Sequence, residues 1–194
     1  MIGADKMLET ALTPDDFHCD RKTTCCFTGH RKRSLPDSGD AFAVKIKALK
    51  SHIGFLIKEA YDEGYHTFIT GMADGVDLFA AAEVISLSKE KSYENIRLVC
   101  AVPYPGQFNE MKTPADRYIY ELLLREAYQI VLVSDAYHEG CYRQRNQFMI
   151  DHSSLLIAAA NRNSKSGSAQ TINMAKRHAV PVRLIDTTGE PYSL

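Results

Sequence analysis

Two glycine-containing segments of the sequence could bind a phosphate group. Gly71 and Gly75 bracket a turn that leads into a predicted helix, and Ser166-Gly167-Ser168 precedes another predicted helix. Glycine lets the backbone approach a ligand closely, and the N–H groups at a helix start favour an anion. Each segment alone could equally be a turn followed by a capped helix. Two such segments at one sheet edge favour a phosphate-bearing ligand.

Several charged side chains lie near these segments. Arg31, Arg143 and Arg145 could each bind phosphate through the fork of the guanidinium group, or form surface salt bridges. Asp77, in the first turn of a predicted helix, could accept a hydrogen bond from a ribose hydroxyl or compensate the helix dipole. His30 is the best candidate for a general base by position, although a lone histidine is more often structural.

Other named kinds of site fit the sequence less well. No Gly-x-Gly-x-x-Gly follows the first predicted strand and no Gly-Lys-Ser/Thr loop occurs, which argues against an ordinary dehydrogenase or NTPase. Cys25 and Cys26 are adjacent in a predicted strand, so their side chains point to opposite faces. His138 and Cys141 lack a second pair at ligand spacing, so we predict no metal site. Tyr104 could stack on a base or pack against the protein.

Six strand–helix units must position these residues. The strands are predicted at 23–28, 66–70, 96–102, 129–133, 154–160 and 180–185, and the helices between them at about 42–60, 76–88, 115–127, 143–152 and 168–178. The strands are continuous apolar runs, typical of strands covered on both faces. We therefore predict an α/β fold, a three-layer α/β/α sandwich with a mostly parallel sheet of about six strands. In such sheets ligands bind beyond the carboxyl ends of the strands, where the strand order reverses.

Composition and charge narrow the class of protein. The 194 residues carry 23 Lys and Arg against 24 Asp and Glu. This balance argues against a nucleic acid partner, since binding through bulk charge needs an excess of positive charge. No apolar run approaches the ~18 residues of a membrane span, and the first residues lack the apolar core of a signal peptide. An odd number of cysteines, five, indicates a reduced, cytoplasmic protein.

Residues 1–22 show no convincing period, and we predict a loosely held N-terminal extension followed by a single domain over 23–194. The apolar face of the helix at 115–127 could form a homo-oligomer or could face the sheet. The sequence leaves these alternatives open.

Three motifs in order along the chain resemble one known family. They are Cys26-Phe27-Thr28-Gly29-His30-Arg31, Thr70-Gly71-Met72-Ala73-Asp74-Gly75-Val76-Asp77 and Tyr142-Arg143-Gln144-Arg145-Asn146-Gln147-Phe148-Met149-Ile150-Asp151. Together they resemble the YpsA-like branch of the SLOG superfamily, which groups the DNA-processing protein DprA (Smf) with LOG-type proteins. The resemblance runs from about residue 24 to 185.

This resemblance implies a Rossmann-like fold that binds a small phosphorylated ligand, a nucleotide or a nucleotide derivative such as ADP-ribose or NAD. No cofactor is certain. The candidate ligand-binding residues, from the resemblance and from their positions after strands, are Gly29, His30, Arg31, Gly71, Ala73, Asp74, Gly75, Asp77, Tyr104, Arg145, Asn146, Ser166, Gly167, Ser168 and Thr171.

One departure from the family bears on catalysis. LOG enzymes cleave the N-glycosidic bond of nucleoside monophosphates with a glutamate just after a glycine loop. The matching segment here reads Ser-Gly-Ser-Ala-Gln-Thr-Ile-Asn-Met and lacks that glutamate. The leading hypothesis is therefore ligand binding or sensing without established catalysis. The alternatives are a LOG-type hydrolase that uses Asp77 or Glu83 as its carboxylate, and DprA-like binding of single-stranded DNA.

Overall fold

The computed structural model describes residues 3–35, 40–161 and 165–188. Its centre is a six-stranded parallel sheet with the strand order β4-β3-β2-β1-β5-β6. The strands are β1 (Thr24–Gly29), β2 (Thr67–Thr70), β3 (Arg97–Val102), β4 (Gln129–Leu132), β5 (Leu155–Ala160) and β6 (Val182–Asp186). The predicted number of strands and their parallel arrangement are confirmed.

Helices cover both faces of the sheet. They are α1 (Ala4–Leu8), α2 (Asp40–Asp62), α3 (Val76–Leu87), α4 (Pro114–Glu126), α5 (Cys141–Asp151) and α6 (Gly167–Arg177). Helices α1 to α4 pack on one face and α5 and α6 on the other, and each face has its own hydrophobic core. Adjacent strand residues alternate between the cores, with Cys25 in the first and Cys26 in the second. The three-layer α/β/α prediction is confirmed.

The chain reverses its direction across the sheet between β1 and β5. Strands β2, β3 and β4 are added in turn on one side of β1, and the chain then returns to add β5 and β6 on the other side. After β1 the chain continues to α2 on one face, whereas after β5 it continues to α6 on the opposite face. Loops that leave neighbouring strands toward opposite faces open a crevice at the carboxyl edge of the sheet.

The N-terminal segment is packed against the domain. Leu12 adds to the edge strand β4, because its N–H donates to the Ile130 carbonyl at 2.9 Å and its carbonyl accepts from the Leu132 N–H at 2.9 Å. Phe17 is buried in one core and Leu8 in the other. The expectation of a loosely held segment is therefore wrong for residues 3–20. The division at residue 22 stays a prediction.

The apolar face of α4 lies inside the protein. The first core contains Tyr120, Leu123 and Leu124 of this helix. Of the two alternatives for the apolar face, the structure therefore shows packing toward the sheet. Tyr118 and Ile119 remain exposed on the same helix. The five cysteines are unpaired, and none of the helices described is long and apolar enough to span a membrane.

Candidate functional site

A cleft of about 480 Å³ lies at the crevice between β1 and β5. The end of β1, the loops after β1, β2 and β5, the first turns of α3 and α6, and one side of α5 form its walls. The predicted ligand-binding residues that line it are Gly29, His30, Arg31, Ala73, Asp77, Arg145, Asn146, Ser166, Gly167 and Ser168. The structure thus brings together ten of the candidates at the edge where the parallel-sheet rule places a ligand.

The start of α6 forms one wall of the cleft. Ser166 is its N-cap, and the hydroxyl accepts from the Ala169 N–H at 3.2 Å. The Ser168 hydroxyl donates to the Gly29 carbonyl at 2.6 Å and so ties the helix to β1. A Cβ at Gly167 would meet no described atom within 4 Å, so there is free space at the first residue of the helix. This wall presents the positive end of a helix dipole to the cleft.

Arg145 of α5 contributes a buried positive charge. Its side chain is only 4% exposed, its Nε donates to the Asn146 Oδ1 at 2.8 Å, and its Nη1 is buried without a hydrogen-bond partner among the described residues. Burial lowers the pKa of this guanidinium, and the attraction of Asp77 opposes that shift. A buried charge that is incompletely paired is costly.

Asp77 lies in the first turn of α3 and is the one carboxylate among the described residues that line the cleft. It is 6% exposed, and its Oδ2 accepts from the Ala73 N–H at 3.3 Å. Burial raises the pKa of Asp77, while Arg145 and the Ala73 N–H counteract this rise. Asp77 therefore compensates part of the charge of Arg145 inside the protein.

The two glycines of the loop between β2 and α3 are packed against protein, although Ala73 of the same loop lines the cleft. A Cβ at Gly71 would lie 1.9 Å from the Nη1 of Arg145. Gly75 has φ of +90°, and a Cβ there would lie 2.4 Å from the His30 carbonyl oxygen. These two glycines allow close packing of the loop, and the structure does not bring them into the lining of the cleft.

His30 is engaged in a structural contact. Its Nε2 accepts from the backbone N–H of Asn161 at 2.8 Å, which places the ring proton of the neutral form on Nδ1. Burial lowers the pKa of the ring. Because Nε2 already accepts a hydrogen bond, His30 does not present this nitrogen as a free base, and it holds the start of the loop after β5.

Arg31 belongs to a polar cluster at one end of the cleft. Its Nη1 donates to Asp74 Oδ1 and to Glu110 Oε2, both at 3.1 Å. Glu110 Oε1 accepts from the Tyr104 hydroxyl at 2.8 Å and also from the Tyr142 hydroxyl. Burial, with the nearby Glu110 carboxylate, raises the pKa of Tyr104 to about 12. Tyr104 and Asp74 do not line the cleft. Asp74 fixes Arg31, and Tyr104 fixes Glu110.

Asn146 and Thr171 join α5 to α6. The Asn146 Nδ2 donates to the Thr171 Oγ1 at 2.9 Å, and Thr171 donates to the Gly167 carbonyl at 3.0 Å. Thr171 is buried behind the cleft and does not line it. The pair orients Asn146 next to Arg145 and fixes the first turn of α6.

Two charged side chains that the sequence left as candidates lie away from the cleft. Arg143 is exposed and lines a groove with Phe17 on the outer side of α5, because residues two apart on a helix face different directions. Glu83 lies beside Gly54, between α2 and α3, and does not line the cleft. Glu83 is therefore not positioned to supply a carboxylate there.

The cleft also contains residues that we did not predict. Its further lining residues include Arg33, Tyr142 and Lys165. Tyr142 precedes Arg145 by three residues on α5, so the helical period could have placed it on the same face. Lys165 directly precedes the Ser166 cap. Arg33 lies in a 3₁₀ turn, Lys32–Ser34, where no period marks the buried side.

Comparison with known protein families identifies the family. The model of the YspA SLOG family (YpsA) matches residues 25–188, which include all of the sheet except Thr24, the first residue of β1, and every residue lining the cleft. The chain belongs to this SLOG family. The resemblance inferred from the three motifs is confirmed.

Two relatives of this chain are distant in sequence. UPF0398 protein ABC2016 of Shouchella clausii is 27% identical over 132 residues, which cover 68% of this chain and 70% of the relative. The SPbeta prophage-derived protein YoqJ of Bacillus subtilis is 28% identical over 127 residues, covering 59% of this chain and 72% of the relative.

Solved structures show that this SLOG chain shares its fold with DNA processing protein A. The protein from Helicobacter pylori, for which a single-stranded DNA binding mode is described, matches with a TM-score of 0.55 and 20% identity, covering 94% of this chain and 69% of its own. DprA from Streptococcus pneumoniae matches with a TM-score of 0.54 and 13% identity, covering 85% of this chain and 50% of its own. These likenesses confirm the Rossmann-like α/β fold.

Proposed function

We propose that the protein binds a nucleotide or a nucleotide-derived ligand of the ADP-ribose or NAD type in the cleft between β1 and β5. Its phosphate would lie at the start of α6, next to Arg145. One observation carries this proposal: the N-terminus of α6, with open space at Gly167, and the buried guanidinium of Arg145 line the same cleft. A phosphate in the cleft would supply the negative charge that Asp77 only partly provides.

The charge of the cleft supports an anionic ligand. Among the described residues, four basic side chains line it against the single carboxylate of Asp77, and one of the four, Arg31, is already paired with Asp74 and Glu110. The four are Arg31, Arg33, Arg145 and Lys165. A helix start and basic groups in one cleft of this size, within the ~300–1,000 Å³ of small-molecule sites, are the features expected of a phosphate subsite.

Thermal shift and isothermal titration calorimetry test the proposal with AMP, ADP-ribose, NAD and cyclic nucleotides. We expect at least one phosphate-bearing ligand to raise the melting temperature in a concentration-dependent way. Adenosine, which lacks the phosphate, should bind much more weakly. If none of the phosphorylated ligands stabilises the protein, the proposal is wrong.

Gly167 offers a matched pair of variants. Space is free at this position, so Gly167→Ala should fold and bind as the parent does. Gly167→Asp puts a negative charge at the start of α6, which favours the helix but repels a phosphate. We expect Gly167→Asp to weaken nucleotide binding by tenfold or more without loss of thermal stability. Equal affinities of the two variants would place the phosphate elsewhere.

Binding of single-stranded DNA is the second candidate. It is favoured by the shared fold with DNA processing protein A, whose Helicobacter pylori form has a described single-stranded DNA binding mode. That finding conflicts with our expectation from net charge that a nucleic acid partner is unlikely. Fluorescence anisotropy with a labelled oligothymidylate, at low and high salt, tests it. Salt-dependent binding that ADP-ribose displaces would make the cleft a DNA site, and no binding at low salt would exclude this candidate.

A further inference from the structure

A second cavity, of about 630 Å³, lies next to the cleft. The two cavities share a wall formed by Arg31, Arg33 and Tyr142, which line both. The rest of the second cavity is formed by residues outside the cleft, among them Lys32, Asp74, Asn109, Glu110, Lys112 and Asp116. Both volumes fall within the range of small-molecule sites.

Side-chain contacts hold the shared wall in place. Two guanidinium groups lie over the Tyr142 ring, with the Arg31 Cζ 5.4 Å and the Arg145 Cζ 5.9 Å from the ring centroid. The Tyr142 hydroxyl donates to Glu110, which also binds Arg31. The aromatic ring is thus fixed at the boundary, where a ligand that extends from one cavity to the other would contact it.

The two cavities differ in charge. The second cavity is lined by three carboxylates and four basic side chains, and two of these basic groups are paired: Asp74 and Glu110 pair with Arg31, and Asp116 pairs with Lys32 at 3.0 Å. In the cleft, Asp77 is the one carboxylate among the described lining residues, against Arg31, Arg33, Arg145 and Lys165. Carboxylates accept hydrogen bonds from hydroxyl and amino groups and repel phosphate. The second cavity therefore suits an uncharged part of a ligand that carries hydroxyl groups, and the cleft suits its phosphate.

We propose that the second cavity binds the distal sugar or nucleoside of a two-part ligand whose phosphate lies in the cleft. The ligand class is a nucleoside diphosphate joined to a second sugar, or a dinucleotide, and not a mononucleotide. This inference rests on the proposed function and extends it. The ligand crosses the boundary over Tyr142, and its distal hydroxyl groups donate to the carboxylates of the second cavity.

Calorimetry tests the inference by comparing AMP, ADP, ADP-ribose and NAD on the same protein. We expect ADP-ribose or NAD to bind at least tenfold more tightly than ADP and AMP, because only these extend past the phosphate to a second sugar. Asn109→Trp is the test variant, since Asn109 is exposed and lines the second cavity but not the cleft. Lys47→Trp, on an exposed position of α2 remote from both cavities, is the matched control.

In the Asn109→Trp variant the indole should fill the second cavity. We expect it to remove the advantage of ADP-ribose and NAD and to leave AMP binding unchanged, while Lys47→Trp behaves as the parent. If the parent binds AMP, ADP and ADP-ribose equally, the second cavity is not a subsite, although the proposed function stands. The same conclusion follows if Asn109→Trp weakens AMP and ADP-ribose by the same factor. If no nucleotide binds, both proposals are wrong.

Discussion

Two glycine-containing loops precede helices at the same edge of the sheet, and only one of them has a glycine that opens on the cleft. In the loop from β5 to α6, a Cβ at Gly167 would meet nothing within 4 Å. In the loop from β2 to α3, Arg145 fills the space beside Gly71, and the backbone of the loop after β1 fills the space beside Gly75. The same sequence signal thus marks an open helix start in one place and close protein packing in the other.

The strand order explains the difference. Strand β2 lies beside β1 on the side where the chain adds strands in order, so α2 and α3 share one face and their loops pack together. Strand β5 lies on the other side of β1, and α6 covers the opposite face. A glycine in a loop therefore favours a ligand only when the strand order also leaves a crevice beside it.

Arg145 packs against Gly71 of one loop and lines the cleft together with Ser166 of the other, so its removal should have the largest effect. Arg145→Met leaves the buried Asp77 without its nearby positive charge, and we expect a loss of about 3–5 kcal/mol in the free energy of unfolding at pH 7. The double variant Arg145→Met/Asp77→Asn should recover much of this loss. Urea denaturation measures both, and a double variant no more stable than the single one would contradict the prediction.

The stability of the Arg145→Met variant as a function of pH tests whether the charge of Asp77 causes the loss. Burial already raises the pKa of Asp77 above 3.8, and the loss of Arg145 should raise it further. The folded state then binds more protons than the unfolded state above pH 3.8, so stability should increase as the pH falls from 7 to 5. A loss of the same size at pH 5 and pH 7 would exclude an ionised Asp77 as its cause.

The glycines themselves sharpen the comparison. Gly75→Ala combines a φ of +90° with a Cβ 2.4 Å from a backbone oxygen, and we expect it to cost about 2–3 kcal/mol of stability. Gly167→Ala should change stability by less than ~1 kcal/mol. Urea denaturation of both variants is the measurement. If Gly167→Ala proves as damaging as Gly75→Ala, the loop before α6 is not open.

Variants at the N-caps of α6 and α4 distinguish an effect on stability from an effect on nucleotide binding. Ser166 and Thr113 each accept a hydrogen bond from the N–H three residues further along the chain, at 3.2 and 3.1 Å. Replacement of either by alanine should cost about 1 kcal/mol. Only Ser166→Ala should also weaken AMP binding, because Ser166 lines the cleft whereas Thr113 lines the second cavity. Thermal shift with and without ligand distinguishes the two variants.

His30 should produce the smallest effect. Burial holds its pKa below 6.5, so the folded state binds fewer protons than the unfolded state. Its contribution to stability is complete above pH 6.5 and decreases as the pH falls through 6.5 toward the folded pKa. His30→Gln keeps an acceptor for the Asn161 N–H but does not titrate, so its stability should fall less between pH 7 and 5. Parallel pH profiles of parent and variant would contradict this role.

The fold class could be predicted because burial on both faces determines residue type along a strand. All six residues of β5 are buried, and the sequence there is continuously apolar. The strand order could not be predicted, since no local pattern records which strand β5 pairs with. The contact of Arg145 with Gly71 depends on that order. The cleft residues were therefore predicted mostly because they follow strands. The same reasoning wrongly included Gly71 and Gly75, where protein atoms occupy the space that a ligand would need.

The sequence already held information on two of the open alternatives. Arg143 and Arg145 lie about 200° apart around a helix, so they could not both face one cleft. Asp77 and Glu83, six residues apart, lie on different faces of α3, so they could not both line it. The packed N-terminal segment gave only a weak signal: Ala4 and Leu8 are spaced four apart, as on one helix face, but their helix has five residues, and Phe17 lies in no helix or strand.

That segment also determines how the sheet ends. Edge strands present unpaired N–H and C=O groups to which another chain can add, and proteins reduce this risk by covering them. Leu12 occupies the outer edge of β4 with two hydrogen bonds, to the Ile130 carbonyl and from the Leu132 N–H. The first residues of the chain thus protect this margin of the sheet from strand addition, and removing them would expose a parallel β edge to aggregation.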